Sequence, residues 1–126
     1  MMPVVVFFGA GLGGVARFAV GGWIQQHAGS TFPWGTLVIN VTGSLALGFL
    51  LTLLEGTRAS PEWRAFVGIG FMGGYTTFST FSYETIRLLQ EAQWSRAGAY
   101  MLASVAVSLA GALAGFRLGT TILTRG

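Results

Sequence analysis

The sequence contains no cysteine, a single histidine and, as its only acidic residues, glutamates. Without cysteine the chain forms neither a disulfide bond nor a thiolate nucleophile nor a cysteine-based metal site. Without aspartate it cannot build a Ser-His-Asp arrangement, and one histidine cannot supply a metal-ligand cluster. These absences exclude the common catalytic and metal centres, and 126 residues leave no room for a separate catalytic domain.

Charged residues are also scarce. They make up 9% of the chain, against about 25% in soluble globular domains. A soluble protein of this size needs polar side chains to cover its surface, yet 52% of these residues are hydrophobic. The net charge is +3, but the arginines are scattered without a basic cluster, which argues against nucleic acid as a partner. The composition predicts an integral membrane protein.

Four hydrophobic runs are long enough to cross a membrane, since a span needs about 20 mostly apolar residues. The first run lacks a basic n-region and a small-residue cleavage site, so we expect it to be retained as a span. Tryptophan, which favours the membrane interface, stands at the run ends as Trp23, Trp34, Trp63 and Trp94. We predict one all-α domain over residues 1–126 with four transmembrane helices, at residues 3–25, 34–54, 64–86 and 96–119.

The arginines outside the first span are found on both predicted sides of the membrane. The side of the termini has Arg58, Arg64, Arg125 and, near it, Arg117, whereas the other side has Arg87 and Arg96. The positive-inside bias is therefore slight. Either so few arginines carry little information on orientation, or the chain inserts in both orientations and pairs with itself in antiparallel fashion.

Glycine is abundant for a helical chain, with 20 residues, although it weakens helices. Small residues spaced by four positions let helices approach closely in lipid. Such stripes occur in the first span, at Gly9, Gly13 and Gly21 with Arg17 between them, and in the fourth span over residues 104–119. Most are packing seams, and a four-helix monomer with several of them is under-packed, which favours a dimer.

The third span contains the most unusual motif. Gly73 and Gly74 precede a run rich in hydroxyl side chains, and this composition predicts a helix broken at Gly73–Thr76. Broken membrane helices typically line ion sites. Phe78 and Phe81 follow with a spacing that places them on one helix face. They are either core residues or rings whose positive edges contact an anion.

Other polar residues fall inside the predicted spans, where each is costly unless satisfied. Asn40 either links two helices by hydrogen bonds or offers its NH2 donors to an anion. Arg17 either anchors the fold or attracts anions to a vestibule. Tyr100 and Ser108 lie two turns apart on one face and extend a line of hydroxyl donors.

Two other functions are compatible with a small four-span protein. A proton-coupled multidrug exporter requires a membrane-buried acid, but the first span has only Arg17 as a charged residue, and every glutamate lies near a predicted span end. Passive conduction fits this pattern better. A non-conducting membrane assembly subunit is the third possibility, and it predicts that Phe78 or Asn40 can be replaced without loss of any flux.

The third-span motif, residues 70–84, resembles the signature of the CrcB/Fluc fluoride channels. The stretches at residues 13–17 and 33–44 are similar to further motifs of that family. The resemblance implies a fluoride-selective channel, not an enzyme, that passively exports cytoplasmic fluoride and so lowers its toxicity. It also implies an antiparallel, dual-topology homodimer with two pores in the plasma membrane of a bacterium.

The resemblance assigns roles to individual residues. It implies a structural Na⁺ at the centre of the dimer interface, held by the backbone carbonyls of Gly73 and Thr76. Arg17 corresponds to the family's arginine in the first helix, with a structural or vestibule role. The implied fluoride pathway comprises Asn40, Phe78, Ser79, Thr80, Phe81, Tyr100 and Ser108.

Overall fold

The computed structural model describes residues 1–125, and these residues are helical apart from short connections. The helices are α1 (Met2–Ala28), α2 (Trp34–Gly56), α3 (Pro61–Arg64), a π-helix (Ala65–Met72), α4 (Gly73–Tyr75), α5 (Phe78–Gln90) and α6 (Trp94–Arg125). The expected all-α architecture is confirmed. The short helices from α3 to α5, with the π-helix among them, follow one another between α2 and α6. Counted together as the third helical segment, they give the chain four helical segments within residues 1–125.

Three helices, α1, α2 and α6, are long and apolar enough to cross a membrane, with mean hydropathies of 1.8, 2.1 and 1.8 over an 18-residue stretch of each. Each of these three helices extends beyond the predicted hydrophobic span at one end or both. Hydropathy detects only the part of a helix that suits hydrocarbon, whereas helical hydrogen bonding continues into the polar interface. The remaining predicted span, residues 64–86, is distributed over the shorter pieces from α3 to α5.

The backbone between α4 and α5 is extended. Thr76 has φ −83° and ψ 156°, and Thr77 has φ −150° and ψ 116°. Gly73 and Gly74, where the sequence predicts the start of an interruption, are helical, and a π-helix precedes them. The Thr77 hydroxyl then accepts a hydrogen bond from the Thr80 N–H at 3.2 Å, so Thr77 caps the N-terminus of α5.

Close backbone contact fixes the positions of α1 and α6. A methyl group at Gly13 of α1 would collide with the Phe71 carbonyl in the π-helix. A methyl group at Gly115 of α6 would collide with the Leu45 carbonyl in α2. The predicted small-residue stripes therefore act as packing seams within the chain, and only glycine permits this approach.

Gly115→Ala is expected to lower the melting temperature of the purified protein in detergent. The added methyl group overpacks the seam between α2 and α6, at a cost of about 1–3 kcal/mol. Gly98→Ala in the same helix is the matched control, because a methyl group there meets open space and alanine favours the helix. A melting temperature for Gly115→Ala equal to or above that of Gly98→Ala would contradict the close packing of this seam.

The outer surface of the chain is apolar. Large hydrophobic side chains are exposed along α1 and α6, among them Phe7, Phe18, Leu102 and Leu109. The buried core is small by comparison, and its largest fully buried side chains are Tyr100 and Ile39. Apolar outer faces around a small core are expected where lipid, rather than water, surrounds the helices.

Candidate functional site

Asn40 of α2 pairs with the extended backbone at Thr77. Its Nδ2 donates to the Thr77 carbonyl at 2.9 Å, and its Oδ1 accepts from the Thr77 N–H at 2.8 Å. The side-chain amide thus replaces both helical partners that Thr77 loses where the helix is interrupted. An amide nitrogen carries two N–H groups, and this pair uses one of them. Asn40 links two helices and retains a donor for another acceptor.

Arg17 holds the other side of the interruption. Its Nε donates to the Gly74 carbonyl at 3.0 Å, across 57 positions of sequence. In an uninterrupted helix this carbonyl would accept the Phe78 N–H, but Phe78 opens the next helix. Arg17 therefore satisfies a carbonyl at the C-terminal end of α4, and its position on the glycine stripe of α1 brings it there.

Several carbonyls at the interruption lose their helical donors, and those of Gly73 and Thr76 gain no replacement within residues 1–125. In a continuous helix, the Thr77 N–H donates to Gly73 and the Thr80 N–H donates to Thr76. Here the Thr77 N–H donates to Asn40 instead, and the Thr80 N–H donates to the Thr77 hydroxyl. The carbonyl oxygens of Gly73 and Thr76 are consequently available as hard oxygen ligands.

A groove of about 280 Å³ opens beside the interruption, between α2, α5 and α6. We call it the serine groove. Its polar and aromatic lining consists of Asn40, Ser44, Thr76, Thr77, Phe78, Phe81, Ser104 and Ser108, with Leu47 and Val105 completing it. Within residues 1–125 this lining contains amide, hydroxyl and ring groups but no charged side chain.

Ser104 and Ser108 present buried hydroxyl groups to the serine groove. Within the described residues, neither Oγ atom has a hydrogen-bond partner. A buried hydroxyl without a hydrogen-bond partner costs folding free energy, so such a group indicates a function such as ligand or water binding. The sequence pattern alone predicts Ser104 only as part of a packing stripe. Its helical spacing, one turn from both Tyr100 and Ser108, is the signal that identifies it as a donor.

Phe78 and Phe81 lie at the groove in different environments. Their ring centroids are 5.7 Å apart with planes at 48°. Phe81 also packs against Tyr100, with centroids 5.1 Å apart, and is partly buried against the hydrophobic core. Phe78 is 78% exposed although it also lines the groove. One ring is fixed by the core and the other extends outward.

A second groove of about 230 Å³, which we call the arginine groove, lies between α1, α2 and α5. Its polar lining comprises Arg17, Gln25, Thr36, Thr77, Thr80 and Glu84. Glu84 also accepts a hydrogen bond from the Tyr100 hydroxyl at 3.0 Å. The arginine groove thus contains both charged and neutral polar groups, unlike the serine groove.

Residues 4–116 match the family described as CrcB-like protein, Camphor Resistance (CrcB). The chain belongs to the CrcB family. A relative from Rhizobium meliloti (strain 1021), named fluoride-specific ion channel FluC, is 48% identical over 120 residues, 93% of this chain and 96% of its own length. A protein of the same name from Opitutus terrae is 47% identical over 107 residues, with 82% and 81% covered. A FluC of Thermus thermophilus is 41% identical over 121 residues, with 95% and 94% covered. Membership and the spanning helices together identify a multi-pass membrane protein.

In this CrcB family member the residues predicted for one pathway lie in different places. Asn40, Phe78, Phe81 and Ser108 line the serine groove. Thr80 lines the arginine groove with Arg17 instead. Tyr100 is buried against Phe81 and lines neither groove, and Ser79 is exposed. The helical period predicted shared faces but could not indicate which groove each face borders.

Proposed function

We propose that this protein is a fluoride-selective channel that passively exports cytoplasmic fluoride and so lowers its toxicity. The relatives that cover nearly the whole chain bear the name fluoride-specific ion channel. The observation that carries the proposal is the serine groove, where neutral donors line a path beside an interrupted helix. The protein is then a channel and not an enzyme.

The chemistry of the serine groove suits a small, strongly hydrated anion. Dehydrated fluoride needs strong hydrogen-bond donors, and the spare N–H of Asn40 with the hydroxyls of Ser104 and Ser108 supplies them. The ring edges of Phe78 and Phe81 add positive potential without a fixed charge. Entry is favourable and exit stays possible because no cationic side chain traps the ion within the groove.

We propose an antiparallel, dual-topology homodimer with two pores. Phe78 lines the serine groove and is itself 78% exposed, and a second copy packed on this face would enclose the groove. Placement of arginines on both predicted sides of the membrane permits insertion in either orientation. Two identical copies can form such a dimer, because each contributes the same surface to a two-fold symmetric interface.

We further propose that the third helical segment, from α3 to α5, acts as a broken transmembrane helix with a structural Na⁺ at the centre of the dimer. The Gly73 and Thr76 carbonyls would hold the ion, since both lose their helical donors. Backbone carbonyls are suitable ligands for a hard cation. Within residues 1–125 no group of three acidic, histidine or cysteine residues offers an alternative site. The ion would contribute positive potential near the pathway.

The plasma membrane of a bacterium is the location that this activity requires. A channel exports cytoplasmic fluoride from the cell only when it spans the membrane that encloses the cytoplasm. Three helices of the chain have the length and hydropathy to span such a bilayer.

Wild-type protein in liposomes loaded with potassium fluoride is expected to release fluoride rapidly after a potassium ionophore is added. A fluoride electrode measures the release. Because the serine groove contains no titratable group, an imposed pH gradient should leave the initial rate unchanged, and chloride-loaded liposomes should release little chloride.

Two results would contradict the proposed function. If liposomes with folded protein release fluoride no faster than fluoride-loaded liposomes without protein, a channel is excluded and a non-conducting assembly subunit is favoured. Release that depends on a pH gradient would instead favour a proton-coupled exporter.

A further inference from the structure

We propose that Arg17 is a positioning residue for the cation site, and that its hydrogen-bond donor rather than its charge serves this role. The inference rests on the proposed function, in which the interrupted helix holds a cation. Its basis is the bond from Arg17 Nε to the Gly74 carbonyl at 3.0 Å. This bond connects α1 to the last turn before the extended residues.

Three of the carbonyls between Met72 and Thr77 accept hydrogen bonds from donors that the structure identifies. The Met72 carbonyl accepts both the N–H and the hydroxyl of Thr76, at 3.0 and 2.9 Å. The Gly74 carbonyl accepts from Arg17, and the Thr77 carbonyl accepts from Asn40. The donors that would occupy Gly73 and Thr76 in a continuous helix are bound elsewhere, as described above. Arg17 and Asn40 therefore occupy the carbonyls of Gly74 and Thr77, on either side of Thr76, and leave those of Gly73 and Thr76 for a cation.

Loss of the Arg17 donor would free the Gly74 carbonyl inside a low-dielectric site. An unsatisfied buried carbonyl is costly, so the last turn of α4 would rearrange to find another donor. Close packing restricts that rearrangement, since Gly74 lies directly against the backbone of Ala10. The direction of the Gly73 carbonyl, one residue away, would change with it.

Loss of the Arg17 hydrogen-bond donor and loss of the Arg17 charge are expected to have opposite effects on cation binding. A guanidinium close to a cation site lowers cation affinity by repulsion, so removal of its charge alone should strengthen Na⁺ binding. Removal of the donor should weaken Na⁺ binding, because the carbonyls lose their arrangement. The donor is Nε, the fourth side-chain atom of arginine, and the amide nitrogen of glutamine occupies the same position along its side chain.

The test measures thermal unfolding of the full-length protein in detergent across a range of Na⁺ concentrations, with N-methylglucamine replacing Na⁺. For Arg17→Met, the Na⁺ concentration that gives half-maximal stabilisation should rise about tenfold or more, as expected for a lost charge-assisted hydrogen bond. Arg17→Gln should keep the wild-type midpoint or lower it. Backbone amides of residues 74–80 should exchange hydrogen faster in Arg17→Met alone.

Other outcomes overturn the inference. An unchanged or lower midpoint in Arg17→Met would show that the donor does not position the site. A midpoint raised in Arg17→Gln, which keeps a donor at the position of Nε, would also contradict the donor role, and this variant decides the question if Arg17→Met does not fold. A melting temperature of the wild type that does not depend on Na⁺ would contradict the cation site itself. Fluoride release by the wild type, measured in parallel, tests the proposed function separately, because the Na⁺ titration needs no flux.

Discussion

Asn40→Leu is expected to abolish fluoride release and to lower the melting temperature. Leucine resembles asparagine in size but leaves the Thr77 N–H and carbonyl without the partners that Asn40 provides at 2.8 and 2.9 Å. Each buried group left unsatisfied costs about 1–3 kcal/mol. The variant also removes the spare N–H that we assign to fluoride. Fluoride-electrode recordings from liposomes and thermal unfolding in detergent measure the two effects.

Asn40→Asp separates the structural role of this residue from its role toward the anion. A carboxylate keeps the acceptor for the Thr77 N–H but has no donor, and its negative charge repels fluoride. We expect a melting temperature above that of Asn40→Leu together with complete loss of fluoride release. Retention of substantial release by folded Asn40→Asp would remove Asn40 from the pathway and leave it only the structural role.

The long helices were predictable because hydrophobicity and charge act locally along the chain. α1 and α2 include the predicted spans, and α6 includes the fourth, as expected from the scarcity of charge. Trp34 and Trp94 begin α2 and α6, at the ends of the hydrophobic runs where the sequence places them. Information of this kind is contained in windows of about 20 residues, so a sequence suffices to derive it.

The site depends instead on contacts between residues that are distant in sequence. Glycine pairs signal a break locally, so the sequence predicted the interruption at Gly73–Thr76. In the folded chain Gly73 and Gly74 remain helical, because α4 packs against α1, while Asn40 pairs with the backbone of Thr77. A partner 37 positions away thus influences which residues are extended, and no local pattern contains that information.

Assignment of side chains to the two grooves had the same limitation. Thr80 and Phe81 are neighbours in sequence, but α5 directs one to the arginine groove and the other to the serine groove. The sequence predicts that Tyr100 extends a line of donors, and in the folded chain its hydroxyl donates to Glu84. Helical period gives relative directions on one helix, whereas the neighbours of each face come from tertiary packing.

Phe78→Ile is expected to reduce fluoride release about tenfold or more, equivalent to a barrier increase of about 1.4 kcal/mol. Isoleucine retains apolar bulk but has no positive ring edge to offer an anion. Phe7→Ile is the matched control, because Phe7 is 72% exposed and Phe78 is 78% exposed, but Phe7 lies on α1 away from the serine groove. If both rings merely contact lipid, both variants should conduct like the wild type. Equal release rates for the two variants, with unchanged folding, would exclude Phe78 from the pathway, whereas a loss confined to Phe78→Ile would place an exposed ring on it.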